Sequence, residues 1–482
     1  MMTEHKSKQN RMLCVIMEDL VPKGHFLRKL DAAIDFSFIY AIMKPLYSDI
    51  GRPSIDPVVL VKMLLIGYLY GIDSERKLEE EITVNIAYRW FLGLDLDDKV
   101  PDHSVLSKNR KRRFQDSNVF QEIFQGVVKK CGEAGLIGGH CVVMDSTHIK
   151  ANAANGNADS VIVMEGPDEY WRKLNDEYGQ NIKQKTEDAD ITVKYKRKSV
   201  SDPEAGWMHR HPKPAGFHYL CHQSSDIQYG IVTDVHVTPG DVTDAPYCVQ
   251  RIAYQKQKLR LPFRWAGLDS GYDTVAVHHG LHELGMRGYI HLNTGHNANW
   301  RKERGLFSID DFTYDAQNDC YICPNGCTLR YIGVRKVRYR VGKNYVTRSE
   351  DCKSCPLKSR CITGKANYKE VRRDFYQEDQ ERNHALIGTA LYRYVMRKRQ
   401  VICEGNFALQ KRCHNLRFTR KRGIERVREQ CLFSAMALNL KRLVKYGTAP
   451  LRPVASAVIS LVYMPKIVMS RNSCLNLLSM VI

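Results

Sequence analysis

Val401-Ile-Cys-Glu-Gly-Asn-Phe-Ala-Leu-Gln-Lys411 sets one carboxylate, Glu404, in a crowd of cations. Arg393, Arg397, Lys398 and Arg399 precede it, and Lys411, Arg412, Arg417, Arg420, Lys421 and Arg422 follow. A helix starting near Glu404 would place Glu404 and Lys411 about two turns apart on one face. A carboxylate among phosphate-binding cations is what a metal-dependent nucleic-acid enzyme needs. The bland alternative is a solvated surface helix with one stray acid. The stretch alone does not decide between them; the strands far upstream do.

Cys141-Val-Val-Met144 is a short apolar strand that runs into Asp145-Ser-Thr-His-Ile-Lys150. An acid at the carboxyl end of a buried strand is a common seat of chemistry in open sheets. From Gly216 the pattern turns to strands: Phe217–Gln223 and Gln228–Val237 flank the turn-like Ser224-Ser-Asp-Ile227 as an antiparallel hairpin. Thr238-Pro-Gly-Asp241 ends the hairpin, and Val242–Lys258 reads as a helix. The strand Arg264–Leu268 then ends in Asp269-Ser-Gly-Tyr-Asp273, before a helix near Thr274–Leu284 and a strand at Gly288–Leu292. Strand with acid, hairpin, helix, strand with acid, helix, strand is a ribonuclease-H-like order, with Glu404 supplying a third acid from a late helix. Each aspartate by itself could be a turn residue.

Composition narrows the partner. The chain has 482 residues, with 73 Lys+Arg against 53 Asp+Glu and a net charge of +20. That surplus favours a polyanion, because each neutralised phosphate releases condensed counterions. An anionic membrane is the competitor, but no apolar run is long enough to span a bilayer and no long basic amphipathic helix appears. The start of the chain is polar, and Met12–Met17 is too short for a signal-peptide core. Most of the 15 cysteines are scattered singly, as in reduced cytosolic proteins. The expected place is therefore the cytoplasm, at the nucleoid.

The expected organisation is mixed α/β: a tail over 1–24, a helical DNA-binding domain over 25–135, and a catalytic core over 136–300 and 376–445. Within the helical domain, Gly51–Pro57 starts one helix, Ser74 caps a second, and Pro101-Asp-His-Ser104 opens a third. The third carries Lys108, Arg110, Lys111 and Arg112, which suggests a helix-turn-helix-like module facing DNA. Residues 152–210 form a polar insertion, partly helical. Residues 300–375 form a β-rich insertion with six grouped cysteines, Cys320, Cys323, Cys327, Cys352, Cys355 and Cys361. Its two C-x2-C pairs, Cys320/Cys323 and Cys352/Cys355, have the spacing of a zinc ribbon; unliganded thiols are the alternative. Between them, Arg330–Arg340 interleaves cations with aromatics as a DNA-backbone surface would. An apolar tail over 446–482 closes the chain.

As a set, several motifs resemble the DDE transposases of bacterial insertion sequences, in the branch with an N-terminal helical domain and a cysteine-bearing insertion. They are Pro101–Ser107, Met144–Ala153, Ser201-Asp-Pro-Glu-Ala205, Val237–Asp244, Leu268–Tyr272 and Glu404-Gly-Asn-Phe407 running through Arg422-Gly423 to Asn439–Leu443. The resemblance spans roughly 30–445. It implies a catalytic triad of Asp145, Asp269 and Glu404 holding two Mg2+ ions about 3.5–4 Å apart. It implies that Lys411 contacts a terminal phosphate, with Arg397, Arg399 and Arg422 as further DNA contacts. Tyr394, Arg397 and Arg399 offer competing registers for the tyrosine and arginine the family often places before its glutamate. The implied reaction cleaves the element ends and joins the freed 3′-OH to target DNA. Its partner is double-stranded DNA (inverted repeats and target), without a membrane, and the protein is a homo-oligomer on that DNA. A catalytically inactive, transposase-derived DNA-binding protein is the second reading. Asp273 stands in reserve for Asp269, and Glu425 or Glu429 for Glu404.

Overall fold

The computed structural model describes residues 14–447 apart from 49, 51–53, 115–116, 166–167, 179–191, 210–214, 294–295 and 338–339. The expected apolar tail, from 448 on, lies outside the described residues, as does the start of the expected N-terminal tail. The described chain is mixed α/β, helical through Glu133 and strand-rich after it.

The helix starts read from sequence are in place. Asp56 caps Pro57–Tyr70 by accepting from the N–H of Val58 at 2.7 Å, Ser74 caps Glu75–Val84, and Asp102 caps His103–Arg112. Pro57–Tyr70 is apolar on every side and correspondingly buried, as an interior helix must be. It stops at Gly71, whose φ of 72° suits glycine. The helix that buries it comes from the far end of the chain: Ile424–Tyr446 packs its Phe433 ring against Tyr68 and Phe120, with centroids 5.5 Å apart in both pairs. One continuous core thus joins the N-terminal helices to Phe433, Val232 and Val235. The expected division, with 376–445 in a separate core, is crossed by this helix. The expected tail is shortened too, because Met17–Leu20 is helical and Glu18 accepts from the Trp90 ring N–H at 2.6 Å. Among the described residues no single helix is long and apolar enough to cross a membrane.

The central sheet has β1 (Cys141–Lys150), β2 (Gly216–Asp226), β3 (Val232–Pro239), β4 (Trp265–Leu268) and β5 (Arg287–Ile290) in the spatial order β3-β2-β1-β4-β5. β1, β4 and β5 are parallel, whereas β2 runs antiparallel to β1 and β3 antiparallel to β2. The short strand Gly206–Met208 adds to β2. β1 does not end at Met144 as the sequence suggests. It continues to Lys150 because β2 pairs with it all along, His218 to Asp226 opposite Lys150 to Val142. β4 pairs with it only from Cys141 to Val143. The first hairpin strand is likewise longer than expected, whereas the second starts later than expected, at Val232, so the turn falls after Asp226.

The long helix Ala390–Cys413 lies across this sheet, starting well before Glu404. It sits down on β4 at Gly267, where an added Cβ would meet Val395 Cγ1 at 2.7 Å and Val143 Cγ1 at 3.2 Å. Buried amides then lock its second half: Gln410 exchanges hydrogen bonds with Gln223 at 2.8 and 2.9 Å, and Asn406 donates to Ser225 Oγ at 3.0 Å. The two insertions pack on each other. In one, Thr313–Asp315, Cys320–Ile322, Thr328–Val337, Arg340–Val346 and Glu370–Arg373 form a five-stranded antiparallel sheet. The helix Glu169–Tyr178 of the other stacks Tyr178 on Phe375 at 3.9 Å. Because Val395 is stiff and Gly267 is a contact of necessity, Gly267→Ala should lower unfolding free energy by about 1–3 kcal/mol in urea titration. A neutral result would mean that the helix is not seated there.

Candidate active site

The parallel register of β1 and β4 places two acids side by side. Val143 stands opposite Gly267, so the same register carried two residues on sets Asp145 beside Asp269. β4 has ended by then, which leaves that edge of β1 open at Asp145. Asp145 accepts from the N–H of Ser146 at 2.8 Å, and Asp269 caps the turn Ser270–Tyr272 by accepting from the N–H of Gly271 at 2.9 Å.

Arg399, from the long helix, reaches between them. Its Nη2 lies 2.8 Å from Asp145 Oδ2 and 3.2 Å from Asp269 Oδ2. Burial pushes the Asp145 carboxyl up to about 6; Arg399 and the Ser146 N–H act against that rise, while Asp269 and Asp244 add to it. Glu404 follows five residues beyond Arg399, about 1.4 helical turns on, and is exposed. Cys403 is buried beside it: burial raises its thiol first, Asp145, Asp269 and Glu404 add to that rise, and Arg399 acts against it. Asp145 and Asp269 thus lie together at the sheet's edge, with the helix that carries Glu404 seated on the same strands.

Arg397 and Arg399, offered by sequence as competing registers, point differently. Arg397 is exposed, whereas Arg399 is paired with the two aspartates. Lys411, two turns past Glu404, is half-buried beside a cleft shared with Ile72, Leu78, Arg417 and Phe418. Arg422 is exposed, with its Nε donating to the carbonyl of Asn152 at 3.2 Å.

On the N-terminal helix, Lys108, Lys111 and Arg112 are exposed. Arg110 is not part of that face. It turns inward to Glu75 at 2.6 Å and to Glu429 at 2.9 Å, and Lys421 approaches Glu429 at 2.8 Å. Burial alone would raise the Glu429 carboxyl, but Lys421 and Arg110 hold it below the ordinary range. Glu429 is therefore interior and cannot replace Glu404; Glu425, exposed, is engaged with Arg428 at 3.0 Å. Asp273 is interior as well. It accepts from His278 and His384 at 2.8 Å, from Gln380 at 3.0 Å and from the N–H of Asn293 at 2.8 Å. Burial would raise its carboxyl, yet His278 and His384 hold it far below the carboxylate range. With four donors it is a satisfied strut under the Asp269 loop, not a substitute for Asp269.

In the cysteine insertion, Cys361 lies within electrostatic reach of Cys323, Cys352 and Cys355, and Cys327 donates its N–H to Cys323 Sγ at 3.3 Å. Cys320 does not join them. It sits in a strand where Asp315 and Asp319 are its charged neighbours. Among the described residues, three ligand atoms come within 4.8 Å of one another at Asp273–His278–His384, His279–His282–Asp379 and Glu79–Asp102–His103, and the cysteine sulfurs form no such group.

Sequence reasoning missed the buried amides Asn406 and Gln410 and the strut at Asp273. It also missed why Ser201-Asp-Pro-Glu-Ala205 recurs as a motif. Asp202 accepts from the N–H of Gly423 at 3.0 Å and Glu204 from that of Ile424 at 3.1 Å, so two acids cap the helix Ile424–Tyr446. Acids at a distance in sequence from any helix start give no local signal of such a cap.

Two family models match the chain. A transposase domain (DUF772) matches residues 15–112, and a transposase DDE domain matches residues 322–444. Both matches are consistent with an insertion-sequence DDE transposase, the family its motifs resemble. The first match covers the N-terminal helices up to Arg112; the second covers Cys323 to Cys361, Arg399, Glu404 and Lys411. No curated protein matches the chain.

The interior position of Arg110 separates it from its exposed neighbours. Arg110→Gln should destabilise the fold by about 3–5 kcal/mol, since it strips a buried carboxylate of a partner. It should leave the salt dependence of DNA binding unchanged, whereas Lys111→Ala should flatten that dependence by about one unit of slope. A flattened slope with Arg110→Gln would return that residue to the DNA face.

Proposed function

We propose that this transposase is catalytically active, cleaving the ends of its element and joining the 3′-OH to target DNA at Asp145, Asp269 and Glu404. The observation that carries the reading is the register of β1 and β4, which sets Asp145 beside Asp269 with a cation already shared between them. The strand order β3-β2-β1-β4-β5, with three parallel strands and an antiparallel hairpin, supports a ribonuclease-H-like core. Divalent metal fits the site: two carboxylates from adjacent strand ends share a cationic partner, and every donor is a hard oxygen, which suits Mg2+. When bound, two such ions would activate water or a 3′-OH and stabilise the leaving oxygen in an in-line displacement.

The chain's own residues do the rest. Asp145 and Asp269 hold their oxygens at fixed strand ends, and Glu404 offers its carboxylate from a helix locked by Gln410 and Asn406. Lys411, Arg397 and Arg422 would orient phosphates entering the site. Lys108, Lys111 and Arg112 form a second basic face on the N-terminal domain, suited to duplex DNA. The protein would act in the cytoplasm at the nucleoid, as a homo-oligomer on DNA. Glu404→Gln keeps size but removes a ligand charge, so cleavage with Mg2+ should collapse while DNA affinity holds or rises. Lys411→Ala should instead weaken binding and lower its salt slope by about one. Normal cleavage by Glu404→Gln would remove that residue from the site and favour an inactive DNA-binding role or another third acid.

The cysteine insertion would carry structural zinc on Cys323, Cys352, Cys355 and Cys361, with Cys361 taking the place first given to Cys320. Mutual proximity around Cys361 supports this set, and binding would draw the sulfurs closer than they stand. Metal analysis of protein purified without chelator should show about one zinc per chain, lost with Cys361→Ser and kept with Cys320→Ser. Zinc lost with Cys320→Ser alone would restore the ligand set read from sequence.

A further inference from the structure

Arg399 does something in this site that a phosphate-binding arginine does not. A single nitrogen, Nη2, serves both Asp145 and Asp269, and the side chain is largely withdrawn from solvent. Its Nε is buried with no hydrogen-bond acceptor. A stranded guanidinium N–H is unfavourable, so this pairing leaves bonding capacity unused. Asp145 and Asp269 would otherwise face each other as bare like charges at the end of two strands, one of them largely buried. The cation comes from the same helix that brings Glu404 and Lys411, so neutralising the acids also seats that helix.

We propose that Arg399 is a displaceable internal counter-cation, holding Asp145 and Asp269 together in the free protein and releasing them to metal when a DNA phosphate takes up its charge. The proposal rests on the reading of those two aspartates as metal ligands. Arg399 cannot keep its position between the carboxylates once divalent ions share them, because like charges at such distances repel strongly in a half-buried site. Displaced into water it would lose both partners; displaced onto a phosphate it regains two acceptors in the bidentate geometry that guanidinium favours. Metal and DNA therefore bind with positive coupling, and Arg399 is the positioning residue that couples them. The linkage is reciprocal, so each ligand must tighten the other by the same factor.

The test uses the full chain and Mn2+ as the probe, with free Mn2+ read by electron paramagnetic resonance. It is run with and without a duplex of the element end taken from the DNA flanking the gene. Wild-type protein should bind Mn2+ about ten-fold more tightly with the duplex than without it. Arg399→Gln should bind Mn2+ about ten-fold more tightly than wild type in the absence of DNA, and the duplex should then change little. Its metal-free melting temperature should fall, because the aspartates lose their shared cation. Should Arg399→Gln fail to fold, Arg399→Lys, which keeps the charge but presents one ammonium, should show a coupling smaller than wild type. Unchanged Mn2+ affinity in Arg399→Gln, or unchanged coupling in Arg399→Lys, overturns the counter-cation role, provided Asp145→Asn abolishes Mn2+ binding. Mn2+ binding that survives Asp145→Asn overturns the metal-site reading beneath it, a distinct failure.

Discussion

The architecture turns on an electrostatic constraint: two carboxylates must be held side by side at the ends of adjacent parallel strands. The register of β1 and β4 dictates the adjacency, and nothing in a sheet can relax it without shifting every paired residue. Once Asp145 and Asp269 are neighbours, something positive has to accompany them. In this chain that is Arg399, and its approach requires the long helix to lie close across β4. Gly267 permits that approach because a side chain there would collide with Val395. Strand register, a glycine and a helix-borne cation are thus parts of one solution to one repulsion.

The same helix must be fixed along its length, or Glu404 would wander relative to the strands. Apolar burial alone is poorly directional, whereas amide pairs are not. Gln410 with Gln223, and Asn406 with Ser225 and the Gly230 carbonyl, fix its rotation. Asn439 does the equivalent for the last helix, exchanging both its amide bonds with the backbone of Val232 at 2.8 Å. The last helix also carries Glu429 into the ion cluster with Arg110 and Lys421. The N-terminal domain is therefore bound to the sheet through the C-terminal helix, by an ion cluster and by aromatic stacking. This makes the chain's two ends one structural unit even though their sequences lie far apart.

Much of this was legible in the sequence. The strand order and both aspartates could be read because apolar runs ending in acids have a strong local pattern. The helix starts at Pro57, Glu75 and His103 could be read because caps are local chemistry. What could not be read depends on partners distant in sequence. Arg110 looks like its basic neighbours until Glu429 is brought to it. Cys320 shares a C-x2-C spacing with Cys323, yet Cys320 lies in the strand Cys320–Ile322 beside Asp315 whereas Cys323 lies past its end in the turn to Cys327. β1 was cut short at Met144 because Ser146, Thr147 and His148 are polar; their strand conformation comes from pairing with β2, not from their own propensity. Arg399 was legible as a cation near a carboxylate, but the acids it serves lie on other strands.

The cysteine insertion is joined to this machinery at its exit. After Arg373, whose guanidinium pairs with Glu381 at 2.5 and 2.9 Å, the chain enters the helix Gln377–His384. That helix supplies Gln380 and His384 to Asp273, and Asn383 to both His278 and the N–H of Gly288. Asp273 in turn anchors the loop whose other end is Asp269. The polar insertion reaches the same point, with Tyr170 donating to Asp374 and Tyr178 stacked on Phe375. Both insertions therefore connect, through Arg373, Asp374 and Phe375, to the helix that supports Asp273 and with it the Asp269 loop. That route is short, and each of its links is a hydrogen bond, an ion pair or a ring contact between named groups. It ties the insertions to the loop that carries Asp269 without any direct contact, among the described residues, with Asp145 or Asp269.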